Sequence, residues 1–274
     1  MRKSSPYWQD GDDWDRKSFF IKKLERRNPL KEAEVPLTSI PLSGFLFLLE
    51  GEVLADIDGE SCLCRGGQFL LVPGNTPFMV HHYKNISGYT GCFSIQSLRD
   101  VSYPCLSSRK PVLHTFWFDE ASFMAEVMDR MTAAHARGDN GYLTRALDLI
   151  LYNIQAPGDI PAHPLVSRFM KMLFDRSSAP DSVSGYAARL NISASYLNKL
   201  VRSQTRHSAM DWVEIARVNW AKCLLKDRSI PISDVSVAVG IDDPSYFTRF
   251  FRKVTGLTPS AFRQQVDGKP GASF

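Results

Sequence analysis

The sequence predicts an α+β chain in two parts. A β-rich N-terminal half ends in a helical hairpin, and an all-α half with two helix-turn-helix units follows. Three observations carry this. Short apolar runs broken by Gly, Pro, Asn and Asp fill residues 19–98. From Asp119 the apolar positions change to helical spacing. Within the C-terminal half one stretch of sequence occurs twice, at an offset of 50 residues.

The strands come first. FFIKKL, FLFLL, EVLADI, QFLLV and GCFSI are short apolar runs, and turn residues separate them at GE, DGE, RGG and PGNTP. Regular spacing of this kind predicts a sandwich or a barrel. Alternation along the strands is expected to send many of Phe45, Phe47, Leu49, Val53, Phe69, Leu71 and Phe93 into the barrel.

Residues 119–155 follow as a helical hairpin. In its first helix Met124, Val127, Met128 and Met131 form one apolar stripe at i, i+3, i+4, i+7. Such a stripe is core or the seam of a dimer, and the seam is the expectation carried forward. The second helix places Leu143, Leu147, Ile150 and Ile154 on one side. Residues 156–164, with three prolines and a glycine, cannot continue a helix and read as a linker. Residues 165–266 read as helical, and 267–274 as a loose tail.

Charge and composition narrow the function. The net charge of +4 is uneven: residues 160–274 hold 16 Lys and Arg against 9 Asp and Glu. A basic half suits a polyanionic partner. No apolar run reaches the roughly 18 residues of a membrane span, and the polar N-terminus does not read as a secretory signal. Five cysteines, an odd number, suggest free thiols in a reducing compartment, so the expected location is the cytoplasm.

The repeat says more. SYLNKLVRSQTR, from Ser195, aligns without gaps on SYFTRFFRKVTG, from Ser245. Upstream, YAARLNI matches VSVAVGI at an offset of 49, the one-residue difference falling in the turn. Each copy therefore reads as helix, tight turn, helix. Ala187 and Ser236 are small where two helices must approach, and Asn191 and Gly240 both tolerate a left-handed turn. Ser193 and Asp243-Pro244 are helix starts, and Thr258-Pro259 is a third.

The second helix of each copy has two faces. Phe247, Phe250, Phe251 and Val254 oppose Ser245, Thr248, Arg249 and Arg252. Leu197, Leu200 and Val201 oppose Ser195, Asn198, Lys199 and Arg202. An apolar anchor behind a short, varied, basic polar face is what a helix needs to read base edges in the major groove.

Gly240-Ile241, DPSYFTRFFRKVTGLTPSAFR, and Arg217, Ala221, Leu224 and Leu225 in RVNWAKCLL together carry a resemblance. The region from Leu165 to Arg263 resembles the DNA-binding domain of AraC/XylS-type transcriptional regulators. The resemblance implies seven helices, with a long helix over about 208–226 joining the two units. It places base contacts on Ser195, Asn198, Lys199, Ser245, Thr248 and Arg249. Of these, Arg249 suits guanine and Asn198 suits adenine, each bidentately. Arg202 and Arg252 are expected on phosphates, Arg217 is expected to be structural, and Trp212 and Phe262 are expected in the core. One position departs from the family: Arg206 follows Thr205 where a glycine is usual, which disfavours a left-handed helix end by about 1 kcal/mol.

The same resemblance implies a cupin-like effector-binding barrel over residues 1–118, and dimerisation through the hairpin. Metal-dependent cupins carry a His-x-His pair before the first Gly turn and a histidine after the Pro loop. Here the stretch before Gly51 has no histidine, and Phe78 follows the loop. No catalytic residue, metal or cofactor is expected. Cys62, Cys64, His81 and His82 form a candidate zinc set, weighed against plain packing of buried thiols. The expected partners are double-stranded DNA, a small organic effector with an apolar part, RNA polymerase if the protein activates, and a second copy of the chain. A regulator without a ligand, and a cupin-type enzyme with a DNA-binding appendage, are the alternatives.

Overall fold

The computed structural model describes residues 19–24, 35–39, 41–98, 103–107, 110–116, 118–154, 163–175 and 180–267. Seven strands come first: β1 (Phe19–Leu24), β2 (Val35–Thr38), β3 (Ser43–Ile57), β4 (Glu60–Arg65), β5 (Gln68–Val72), β6 (Phe78–Phe93) and β7 (Val112–Thr115). The helices are α1 (Pro104–Ser107), α2 (Phe118–Arg137), α3 (Asn140–Asn153), α4 (Pro164–Phe174), α5 (Val183–Arg189), α6 (Ala194–Thr205), α7 (Ala209–Leu225), α8 (Ile232–Ala238), α9 (Pro244–Thr255) and α10 (Pro259–Asp267). One compact unit holds the strands with α1–α3, and a second holds α4–α10. The linker expected over 156–164 lies outside the described residues except for His163 and Pro164, which open α4. The expected tail lies outside them beyond Asp267.

All described strand pairs are antiparallel, in the order β1-β6-β3-β5-β7, with β2 on β6 and β4 on β3. No described ladder joins β1 to β7, so the sheet is open where a closed barrel was expected. Two runs expected as separate strands, FLFLL and EVLADI, are one strand of 15 residues. Gly51-Glu52 is not a hairpin turn. It lies in β3 where the register with β6 shifts, and shifts of this kind bend a strand without ending it. Asp58 and Gly59, at φ 54° and 80°, make the tight β3–β4 turn.

The sheet has two apolar faces. One carries Phe19, Ile21, Phe45, Phe47, Phe69, Leu71, Tyr89 and Phe93 and packs in one core with α2 and α3. The other carries Leu48, Val53, Ala55, Ile57, Leu70 and Tyr83. The inward-pointing set expected from alternation was therefore largely assigned to the wrong face. Phe47, Phe69, Leu71 and Phe93 meet the helices, Leu49 is exposed, and Val53 faces the other side. Phe45 belongs to the helix-facing core and is also among the residues that line the cavity.

The methionine stripe is a correction too. Met124, Val127, Met128 and Met131 are all 7% exposed or less and belong to this same core. Sheet and α3 cover them within one chain, so they are not an open dimer seam. Among the described residues, the large apolar side chains that the hairpin does expose are Phe123, Leu149 and Tyr152. No helix of the described residues is long and apolar enough to cross a membrane.

Candidate nucleic-acid interface

The two copies of the repeat fold alike, down to single hydrogen bonds. In the first, α5 and α6 are joined through Asn191 at φ 56°, and Ile192 N donates to Ala187 O at 3.0 Å. In the second, α8 and α9 are joined through Gly240 at φ 75°, and Ile241 N donates to Ser236 O at 3.0 Å. Ala187 and Ser236 are buried at the contact, where only small side chains fit, and the Ser236 hydroxyl donates to Ile241 O.

The recognition helices are capped at both ends. Ser193 Oγ accepts from Tyr196 N at 3.1 Å, and the Asp243 carboxylate accepts from Ser245 N at 2.8 Å, with Pro244 in the first turn. At the C-terminal ends Arg206 and Gly256 are both left-handed, with φ 60° and 75°. Thr205 and Thr255 each donate to the carbonyl four residues back and accept from the N–H two residues on. Residues 201–210 and 251–260 share one burial pattern, position for position. Trp212 and Phe262, again 50 apart, close the two cores, and Trp212 Nε1 donates to Thr205 Oγ1 at 2.9 Å.

These cores hold one face of each helix and leave the other outward. Ser195, Lys199, Arg202, Ser245, Arg249, Arg252 and Lys253 are exposed. Asn198 and Thr248 are half-buried. Thr248 Oγ1 donates to Pro244 O at 2.9 Å, inside its own helix. Asn198 Oδ1 accepts from Ala209 N at 3.0 Å and ties α6 to the start of α7. The bidentate adenine contact expected of Asn198 uses that same oxygen, whose second lone pair is left for a base donor. No ion pair among the described residues holds Arg249, Arg252 or Lys253.

Two other arginines are structural. Arg263 donates to Leu225 O and Ile230 O at 3.1 and 2.8 Å, and Arg217 donates to Pro180 O at 3.4 Å. Sequence reasoning passed over Tyr196 and Tyr246, which are 46% and 51% exposed at the first turn of each recognition helix. Their signal was legible: the same residue type at the same register in both copies. The Tyr246 ring stacks on Phe250 at 6.3 Å and lies on the flank of the basic face.

In the strand-bearing unit the candidate zinc set does not assemble. Among the described residues no three His, Cys, Asp or Glu side chains converge. Cys62 and Cys64 are buried in the sheet's second core, and burial pushes the Cys62 thiol up to about 12. His81 and His82 lie where β6 slips register against β3, His82 pairing with Leu54 and Val80 with Ala55. His82 Nε2 lies 4.0 Å from Glu52 Oε1. His81 is buried, which holds its imidazole down to about 4. Beside this core, on the sheet face opposite α2 and α3, is a cavity of about 170 Å³.

Known proteins match both halves of the chain. A family model described as a helix-turn-helix domain matches residues 186–265. The arabinose operon regulatory protein of Escherichia coli (strain K12) is 39% identical over 248 residues, 81% of this chain and 80% of that protein. The protein of the same name from Salmonella typhimurium is 28% identical over 234 residues, 78% of this chain and 81% of that one. A solved structure, the C-terminal domain of AraT, a response regulator from Geobacillus stearothermophilus, aligns at 26% identity and a TM-score of 0.36. That alignment covers 38% of this chain and 87% of that one.

Proposed function

Because the chain belongs to the AraC family of DNA-binding transcriptional regulators, we propose that α6 and α9 each enter a major groove of double-stranded DNA, under the control of a small organic effector held by the strand-bearing unit. The chain is a regulator, not an enzyme. The observation that carries the DNA reading is the duplication: two recognition helices with matching caps, matching burial and the same basic outer face.

Within that reading Arg249 takes a guanine through its O6 and N7. Ser195, Lys199, Ser245 and Thr248 meet neighbouring base edges, and Asn198 offers its amide. Arg202 and Arg252, one turn further along, hold phosphates. Tyr196 and Tyr246, on the flank, direct their hydroxyls to the backbone as well. The cavity supports the effector. The exposed Phe123, Leu149 and Tyr152 support a homodimer through the outside of the hairpin. A cytoplasmic location and a contact with RNA polymerase complete the reading, the latter if the protein activates.

Titrating Arg249→Ala and Arg252→Ala against specific and random DNA tests the assignment. Arg249→Ala should cost about 1–3 kcal/mol on specific DNA and relax preference at one base position. Arg252→Ala should weaken both complexes evenly and lower the salt slope by about one. Equal losses on both DNAs for both variants would refute the division into base and phosphate contacts.

A further inference from the structure

The cavity in the strand-bearing unit is apolar almost throughout. Of its twenty described lining residues, Lys22, Thr76, Tyr83 and Thr90 bring polar side-chain atoms. The Thr90 hydroxyl already donates to Phe45 O at 3.1 Å. The remainder is hydrocarbon or glycine, with Leu46, Val53, Ala55, Leu70 and Ile86 among it.

The polar groups are not spread evenly. Lys22 stands opposite Thr90 in the β1–β6 register, so the two line neighbouring parts of the cavity wall. Lys22 is exposed, and among the described residues it has no ion pair. The next residue, Lys23, points to the other face of β1 and reaches Asp129 of α2 at 2.6 Å. Alternation thus assigns one lysine to the helices and leaves the other to the cavity.

This lining discriminates between ligand classes. A sugar carries a hydroxyl on nearly every carbon, and each one buried without a partner forfeits a hydrogen bond it had in water. An alkyl or aryl body forfeits none and gains by leaving water. A cavity of about 150 Å³ admits benzene, so this one suits a body of roughly six to eight carbons. Lys22, the single cation among the described lining residues, suits one anionic head.

Resting on the reading that this unit receives an effector, we infer that the effector is a small amphiphile: a hydrocarbon body in the cavity and one carboxylate at Lys22. Calorimetric titration of the full chain with octanoate, octanol and L-arabinose tests this. Octanoate should bind, octanol should bind about tenfold more weakly, and arabinose should not bind. Lys22→Gln should bring octanoate down to the level of octanol and leave octanol unchanged.

Equal binding of octanoate and octanol to the wild type overturns Lys22 as the anchor. Binding of arabinose without octanoate overturns the ligand class and leaves the effector reading standing. Binding of none of the three also overturns the class, and Leu46→Trp, which fills the cavity, then judges the effector reading itself. If that variant melts as a folded protein and occupies the same DNA sites in cells as the wild type, the effector reading falls as well. Altered occupancy keeps it.

Discussion

Arg206 holds φ at 60° at the end of α6, in the position where Gly256 holds 75° at the end of α9. A side chain in the left-handed region meets its own carbonyl, which costs about 1–2 kcal/mol. Arg206→Gly should therefore raise the stability of the helical unit by about 1 kcal/mol, read as a higher urea midpoint at unchanged slope. An unchanged or lower midpoint contradicts it. His81 makes a second prediction. Burial lowers its folded pKa to about 4, below the ordinary 6.5, so the unfolded chain takes up the proton first as pH falls. Its contribution is present above pH 6.5 and is lost on the way down to 4, about 3 kcal/mol in all. Urea unfolding between pH 7 and pH 4 should show this loss, and His81→Gln should flatten it. A wild-type profile no steeper than the variant's contradicts the account. Outward placement was legible where a residue type repeats at one register, as with the exposed Arg202 and Arg252. It was not legible where a side chain turns back to another helix. Asn198 reads as a base reader in sequence, and the bond its oxygen accepts from Ala209 N, eleven residues on, has no signal there.

Among the elements, periodicity revealed each stripe but not the partner that covers it. Met124, Val127, Met128 and Met131 have the spacing of a seam and of a core alike. Which it is depends on the sheet beneath α2, and helical spacing holds no trace of that sheet. Strand alternation has the same blind spot. It separates Phe45, Phe47 and Phe69 from Leu46, Leu48 and Leu70, but does not say which set meets helices and which borders the cavity. The helix-turn-helix units were legible in their caps, turns and faces because their partner is in the sequence as well: each copy explains the other's. The buried stripe predicts that Met128→Asp unfolds the strand-bearing unit instead of dissociating an assembly. An unpaired carboxylate in a packed core costs several kcal/mol. Circular dichroism beside sedimentation decides between them, and a folded variant of lower mass contradicts the burial argument.

At the scale of the whole molecule, charge and duplication point to the same surface. The half with the net positive charge is the half that carries the two recognition helices, and Lys199, Arg202, Arg249, Arg252 and Lys253 are exposed on them. Many phosphate contacts make such binding steeply salt-dependent, while the base contacts of two helices in one chain make the site two-part. The central claim is that α6 and α9 both read sequence, and selecting bound sites from a random DNA library tests it most directly. Wild type, Lys199→Ala and Arg249→Ala are compared at one salt concentration. The account predicts a wild-type site of two short blocks about one helical turn, roughly 10 base pairs, apart. Lys199→Ala should relax one block and Arg249→Ala the other. A single block, or two variants that relax the same position, would contradict it.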